Sequence, residues 1–277
     1  MAVKRKDLGP INTTECGMVI ERIALPRGQI HRDYIAHCLR WSYVLKQVKI
    51  GMQIIDVGCG SFPLLKALYS NKLKPRLYVG LDIRRSVIEK MMKFKTNFTV
   101  IGHETDIRVE SLPIPEEVVF TAERPFGAFT TQTEGYDIAV CLEVVEHFED
   151  KYVDHVLSEI RRVLKVGGLL LLSTPNFNGS AAKNHIHEYT ADELGKHIWK
   201  YFTVEKMIGT FASQRDIEPV LSPAEREVYE NLKSWFKPEI ISVVFASMHP
   251  LQSRNILWVC RKEDKIRRDN AVDMQQI

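Results

Sequence analysis

Short apolar runs alternate along this chain with stretches whose apolar residues recur at helical spacing. The short runs predict strands at Gln53–Val57, residues 76–81, residues 99–103, Tyr136–Leu142, residues 169–173, residues 203–210 and Asn255–Arg261. Helices are expected between them. Residues 63–69 begin at Pro63, which suits a first helical turn. Residues 86–94 open with Ser86 and Glu89 at capping-box spacing, and Thr190 with Glu193 caps a helix reaching Tyr201. Residues 153–164 end before the pair Gly167 and Gly168. A further capping box, Ser222-Pro223-Ala224-Glu225, lies in a helical stretch ahead of the last strand.

Before the first strand, residues 29–48 place Ile30, Tyr34, Cys38, Trp41, Leu45 and Val48 on one helical face. His31, Arg32, His37, Arg40 and Lys46 fall elsewhere, so His31 and His37 are expected in solvent, with a lid or substrate platform as the alternative to plain packing. Residues 107–135, rich in Pro and Glu, read as a loop too long for a simple connector. Strict alternation of strand and helix implies right-handed crossovers and an α/β, doubly wound, mostly parallel sheet of seven strands. The chain then divides into an N-terminal tail and helix (1–48), the sheet core (49–211), a helical insertion (212–254) and the last strand with a polar tail (255–277). Ligands bind such sheets at the carboxyl ends of the strands. Insertions of this kind often shape a substrate pocket, so residues 212–254 are expected to set acceptor specificity.

Composition narrows the class. The 277 residues are 45% hydrophobic and 26% charged, enough for a full core. A formal charge of +3, with basic pairs scattered at Arg84-Arg85, Arg161-Arg162 and Arg267-Arg268, offers no clustered path for a nucleic acid. The five cysteines, Cys16, Cys38, Cys59, Cys141 and Cys260, lack CxxC spacing and fit a reducing compartment. The N-terminus is basic without an apolar signal region, and no run approaches the ~20 residues that cross a bilayer. A cytoplasmic protein without a membrane span is expected.

The chemistry concentrates at Ile54-Ile55-Asp56-Val57-Gly58-Cys59-Gly60-Ser61-Phe62-Pro63, a strand running into a tight turn where a nucleotide-like ligand meets bare backbone. Asp82 ends the next strand about 20 residues on, placed to grip a ribose diol. That spacing suits either NAD or S-adenosylmethionine. A dinucleotide fingerprint would need glycine at position 63, where this chain has Pro63, and Asp56 adds an acid suited to an ammonium rather than a pyrophosphate.

With Asp56-x-Gly58-x-Gly60, Asp82, Asp106-Ile107, the strand Tyr136-Asp137-Ile138-Ala139-Val140-Cys141 and Leu164-Lys165-Val166-Gly167-Gly168, the chain resembles class I S-adenosylmethionine-dependent methyltransferases from about residue 50 to 211. The resemblance implies an S-adenosyl-L-methionine pocket formed by Asp56, Gly58, Cys59, Gly60, Asp82, Ile83, Asp106, Ile107, Leu142 and Glu143. In it Asp82 takes the ribose, and Asp106 with Ile107 the adenine. Phe62 departs from the family's usual small residue there.

The acceptor is less constrained. Leu142-Glu143-Val144-Val145-Glu146-His147 occupies the place of the Asn/Asp-Pro-Pro-aromatic tetrapeptide that methylates base amino groups, and no cysteine–proline pair marks a cytosine nucleophile. Glu143, Glu146 and His147, at i, i+3 and i+4, would share one face of a helical turn. His185 and His187 follow the fifth strand on the same sheet edge. Glu-x-x-Glu-His is similar to ubiquinone-pathway O-methyltransferases, and Thr174-Pro175-Asn176 with His185 adds a likeness to small-RNA 3′-end 2′-O-methyltransferases. In both families the constellation is associated with a Mg²⁺-type ion, which implies Glu143, Glu146, His147 and His185 as ligands.

Three readings stay open: a metal site, a metal-free base built on Glu146 and His147, and capping or packing roles. The available base tilts the reading toward a hydroxyl of a small-molecule acceptor. An RNA 2′-O-methyltransferase and a non-catalytic S-adenosylmethionine-binding protein are the alternatives, ahead of a dinucleotide oxidoreductase.

Overall fold

A computed structural model of the protein describes residues 32–60, 63–82, 106–111 and 134–265. Helix α1 (Arg32–Gln47) leads into β1 (Gln53–Val57), α2 (Pro63–Ser70), β2 (Leu77–Asp82), β3 (Asp106–Ser111) and β4 (Tyr136–Leu142). A 3₁₀ turn, Val145–His147, precedes α3 (Asp150–Val163), β5 (Leu164–Pro175), α4 (Ala191–Ile198) and β6 (Thr203–Phe211). Three helices, α5 (Gln214–Ile217), α6 (Pro223–Lys233) and α7 (Pro238–Ala246), then lead to β7 (Asn255–Arg261). Both expected capping boxes in this part form, at Thr190/Glu193 and Ser222/Glu225.

The strands make one seven-stranded sheet in the order β3-β2-β1-β4-β5-β7-β6. Neighbours from β3 to β5 are parallel; β7 runs antiparallel between β5 and β6. Adjacent residues feed opposite faces, as strand pleating requires. Ile55, Val79, Ala139 and Leu170 pack under Val153, Val156 and Ile160 of α3 and Leu194 of α4. Ile54, Tyr78, Ile138 and Leu171 pack under Val44 of α1 and Leu64, Leu65 and Leu68 of α2. Burial on both faces explains the nearly unbroken apolar runs of β1, β4 and β5.

Two expectations fail here. The third strand is Asp106–Ser111, paired in parallel with Leu77–Asp82, where a loop was expected from residue 107. Ile107 and Val109 alternate with polar residues, so the segment carries the period of a strand. Residues 99–103 and the Ser86/Glu89 box lie outside the described residues. The inward face of α1 is also displaced: Ala36, Arg40, Val44 and Val48 are buried, while Cys38, Trp41 and Leu45 are only half-buried. A four-residue ladder faces the sheet, and its polar member Arg40 has partners there that no periodicity reveals.

The helices between β6 and β7 bury Ile217, Leu221, Tyr229, Ile241 and Phe245 in a satellite core. Helix α7 lies directly on β6. A Cβ at Gly209 would stand 1.9 Å from the Ala246 carbonyl oxygen, so only glycine permits this approach.

Candidate functional site

The turn after β1 needs its glycines. Gly58 has φ +75°, and a Cβ there would stand 2.3 Å from Cγ2 of Val144. The Gly58 and Cys59 amides donate to the Leu81 carbonyl at 2.7 and 2.9 Å, and the Gly60 amide (φ +52°) donates to the Asp82 carboxylate at 2.9 Å. The turn is therefore clamped to the carboxyl end of β2, with Asp82 held in place beside it. Asp56 is buried and accepts a hydrogen bond from the Tyr78 hydroxyl. Burial raises the Asp56 pKa to about 7; the Tyr78 bond opposes the rise and the nearby Asp82 charge adds to it.

Asp56, Gly58, Cys59, Gly60 and Asp82 thus come together at one sheet edge. Ile83 lies outside the described residues. Asp106 and Ile107 do not join them. They pair with Leu77 and Tyr78 at the amino end of β3. Five residues of strand, about 16 Å at ~3.3 Å each, separate Asp106 from Ser111 opposite Asp82.

At the exit of β4, Leu142 is half-buried and Glu143 adopts φ +57°, a conformation that non-glycine residues seldom hold. The Glu143 amide donates to the Ser173 carbonyl at 2.8 Å. Its carboxylate accepts from Ser173 Oγ (2.8 Å) and Asn255 Nδ2 (2.6 Å) and faces the Arg40 guanidinium at 3.6 Å. The left-handed residue breaks the helical turn that would have aligned Glu143 with Glu146 and His147. The turn begins instead at Val145.

Glu146 is 1% exposed and accepts from Thr174 Oγ1 at 3.1 Å. Burial foremost, then the Glu143 charge, hold its pKa well above the usual carboxylate range, against the pull of Thr174 and Arg40. Its carbonyl accepts the amides of Ile186 and His187 at 2.8 and 3.1 Å, which ties the segment after β5 onto this turn. The rings of His147 and His185 consequently meet edge to face, 5.0 Å apart. His147 Nδ1 lies 3.2 Å from the Asn184 carbonyl, and His185 Nδ1 lies 2.5 Å from Glu188 Oε1. A carbonyl and a carboxylate can only accept, so each Nδ1 carries the hydrogen and each Nε2 the lone pair. One ligand atom from each of Glu146, His147 and His185 lies within 4.8 Å of the others. Glu143, expected as a fourth ligand, is not in this group.

Beside the cluster opens a cavity of about 470 Å³, walled by His37 and Arg40 of α1, Glu143, Asn176, the segment from Ser180 to Glu188, Phe211, Arg254 and Asn255. The insertion expected to build the acceptor pocket contributes only its final residue, Arg254, among the described residues. Its helices are committed to the satellite core on β6. His37, expected in solvent, lines the cavity, and Arg40 beside it is 3% exposed. Burial and then the Arg40 charge lower the His37 pKa to about 3. Arg40, His37, Glu188 and Asn255 went unnoticed in the sequence, where they form no motif and sit more than 200 residues apart at the extremes.

A family model described as "Methyltransferase domain" matches residues 29–224. A ubiquinone biosynthesis O-methyltransferase of Bordetella avium is 27% identical over 186 residues, 65% of this chain and 68% of that protein. A small RNA 2′-O-methyltransferase of Arabidopsis thaliana is 23% identical over 250 residues, 81% of this chain but 25% of that protein. Among solved structures, geranyl diphosphate C-methyltransferase from Streptomyces coelicolor, complexed with S-adenosyl-L-homocysteine, aligns with a TM-score of 0.51 at 13% identity, covering 81% of this chain and 76% of that one. The cyclase SpnF aligns equally well, with a TM-score of 0.51 at 14% identity over 80% of this chain and 79% of its own. These structural likenesses speak for the fold alone.

Proposed function

Because the chain belongs to the methyltransferase-domain family and is an S-adenosylmethionine-dependent methyltransferase, we propose that it transfers the methyl group to a hydroxyl of a small-molecule acceptor held in the cavity beside Glu146, His147 and His185. In this reading Asp82 takes the ribose, Gly58 to Gly60 line the methionine end, and Asp56 in its ionised form counters the ammonium. Methyl transfer is an in-line displacement, so much of the rate comes from holding the acceptor oxygen on the axis of the sulfonium methyl. A hydroxyl is a poor nucleophile until its proton is taken or its oxygen is polarised.

The observation that carries this proposal is the convergence of two imidazoles and one buried carboxylate, with both imidazole Nδ1–H groups oriented by Asn184 and Glu188. Two chemistries fit those groups. His147 Nε2 accepts the hydroxyl proton directly, or the three groups hold a divalent cation that acidifies the hydroxyl. Imidazole-rich donor sets favour Mn²⁺, Co²⁺, Fe²⁺ or Zn²⁺ over Mg²⁺, which prefers oxygen ligands. A cation would also offset the cost of burying Glu146 near Glu143.

The test is methyl transfer from labelled S-adenosylmethionine to panels of hydroxylated metabolites and short RNAs, with and without chelator, and with Mn²⁺ or Mg²⁺ restored. His147→Ala is expected to lower kcat by 10²-fold or more, the span of general acid–base catalysis, with cofactor affinity retained. Equal turnover by His147→Ala and the parent would sink the catalytic role. Turnover that ignores the chelator would leave the metal-free base. An RNA acceptor is the second reading, favoured by the 81% of this chain that aligns with the small RNA enzyme; methylation of RNA and of no metabolite would establish it.

A further inference from the structure

His37 occupies a wall of the cavity in a chemical state that the structure determines. Its Nδ1 lies 2.9 Å from Nη2 of Arg40. A guanidinium has hydrogens to give and no lone pair to offer, so Nδ1 must be the acceptor. In the neutral ring the hydrogen then resides on Nε2. Burial and the adjacent Arg40 charge keep the ring neutral. Arg40 is itself fixed: Nη1 donates to Thr210 Oγ1 at 3.3 Å and stands 3.6 Å from Glu143 Oε1. Among the described residues, Nε2 of His37 has no hydrogen-bond partner, although the residue lines the cavity. His147 and His185 present lone pairs, whereas His37 presents a donor. One guanidinium joins His37 to Glu143, so the donor and the strand-exit acid face the same small space.

We propose that His37 is an acceptor-positioning residue whose Nε2–H donates to a second oxygen of the acceptor, adjacent to the hydroxyl that is methylated. The proposal rests on the reading of this cavity as the acceptor site. It assigns the acceptor a class: a molecule with two neighbouring oxygens, one reacting and one oriented. His37 neither takes nor gives a proton in the reaction; it selects and aligns.

Histidine-detected ¹⁵N NMR on the full chain saturated with S-adenosylhomocysteine tests this. Expected is an Nε2–H tautomer for His37 that does not titrate between pH 5 and 8. Two vicinal-diol probes, cytidine and catechol, separate a sugar source from an aromatic one; at least one should shift the His37 Nε2 signal. In His37→Phe the affinity for that probe should fall about tenfold, the loss of one good hydrogen bond, while His37→Gln, which retains a donor, restores most of it. Cofactor affinity should stay level in both variants. An Nδ1–H tautomer, titration near pH 6.5, or a His37 signal indifferent to both probes while His185 responds would overturn the assignment and leave the acceptor site in place. Probes that move neither His37 nor His185 would overturn the reading of the cavity, and this proposal with it.

Discussion

Gly58→Ala perturbs the turn at its tightest point, and its cost can be worked from two separate contributions. The residue holds φ +75°, which costs an L-residue about 1–2 kcal/mol. The new methyl would stand 2.3 Å from Val144 Cγ2. Val144 is 8% exposed and β-branched, so it has little freedom to rotate away, and relieving the overlap costs about 1–3 kcal/mol. Together they make about 2–5 kcal/mol. Because the turn is where the cofactor meets the backbone, most of this should appear as lost affinity, between roughly 30-fold and 4,000-fold. Calorimetric titration with S-adenosylmethionine, alongside denaturant unfolding, measures the division between binding and stability. Gly58→Ala/Val144→Ala should recover the steric part and keep the backbone part. Parent-like affinity in Gly58→Ala would refute the assignment of this turn to the cofactor.

Asp56 supplies a pH dependence of definite sign. Its pKa is raised to about 7 from an ordinary 3.8, so the folded state holds a proton that the unfolded chain releases between those values. Its stabilising contribution is complete below about pH 4 and declines as pH rises through 7, by about 4 kcal/mol at most for a shift of this size. Urea titrations at pH 5 and pH 8 should show Asp56→Asn losing less stability over that interval than the parent; equal losses would contradict the assignment. The same variant should bind S-adenosylmethionine more weakly at pH 8, where the parent carboxylate is ionised. Arg40→Met leaves the Glu143 carboxylate without its cation, and should cost about 3 kcal/mol, the low end for breaking a buried pair because Ser173 and Asn255 still donate to that acid. Denaturant unfolding should show this loss, and Arg40→Met/Glu143→Gln should regain part of it; a loss under 1 kcal/mol would mean the pair is screened like a surface one.

The features legible in the sequence were those with a local period or a local constraint. Ile54 and Ile55 feed opposite faces of the sheet, and a pleated strand requires just such alternation. Gly58 must be glycine for reasons confined to its own φ and one neighbour. Thr190 and Ser222 cap helices through residues three positions away. What was missed is non-local or a matter of register. Arg40 is buried because Thr210 and Glu143, far along the chain, accept from it or face it. Glu143 left the expected cluster through a single left-handed dihedral, which no spacing rule anticipates. Asp106 moved from one end of the sheet to the other because the pairing of β2 with β3 put it opposite Leu77. Glu146, His147 and His185 do converge as their positions in the fold implied, since the amides of Ile186 and His187 bind the Glu146 carbonyl.

A structure of the protein with S-adenosylmethionine bound, or with a stable analogue that keeps its amine and ribose, reaches the central claim most directly. The ribose should lie on Asp82 with the methionine end along Gly58 to Gly60. The sulfonium substituent should face the cavity between His37, Glu143 and His185. A cofactor seated elsewhere, or one whose methyl points away from Glu146, His147 and His185, would contradict it.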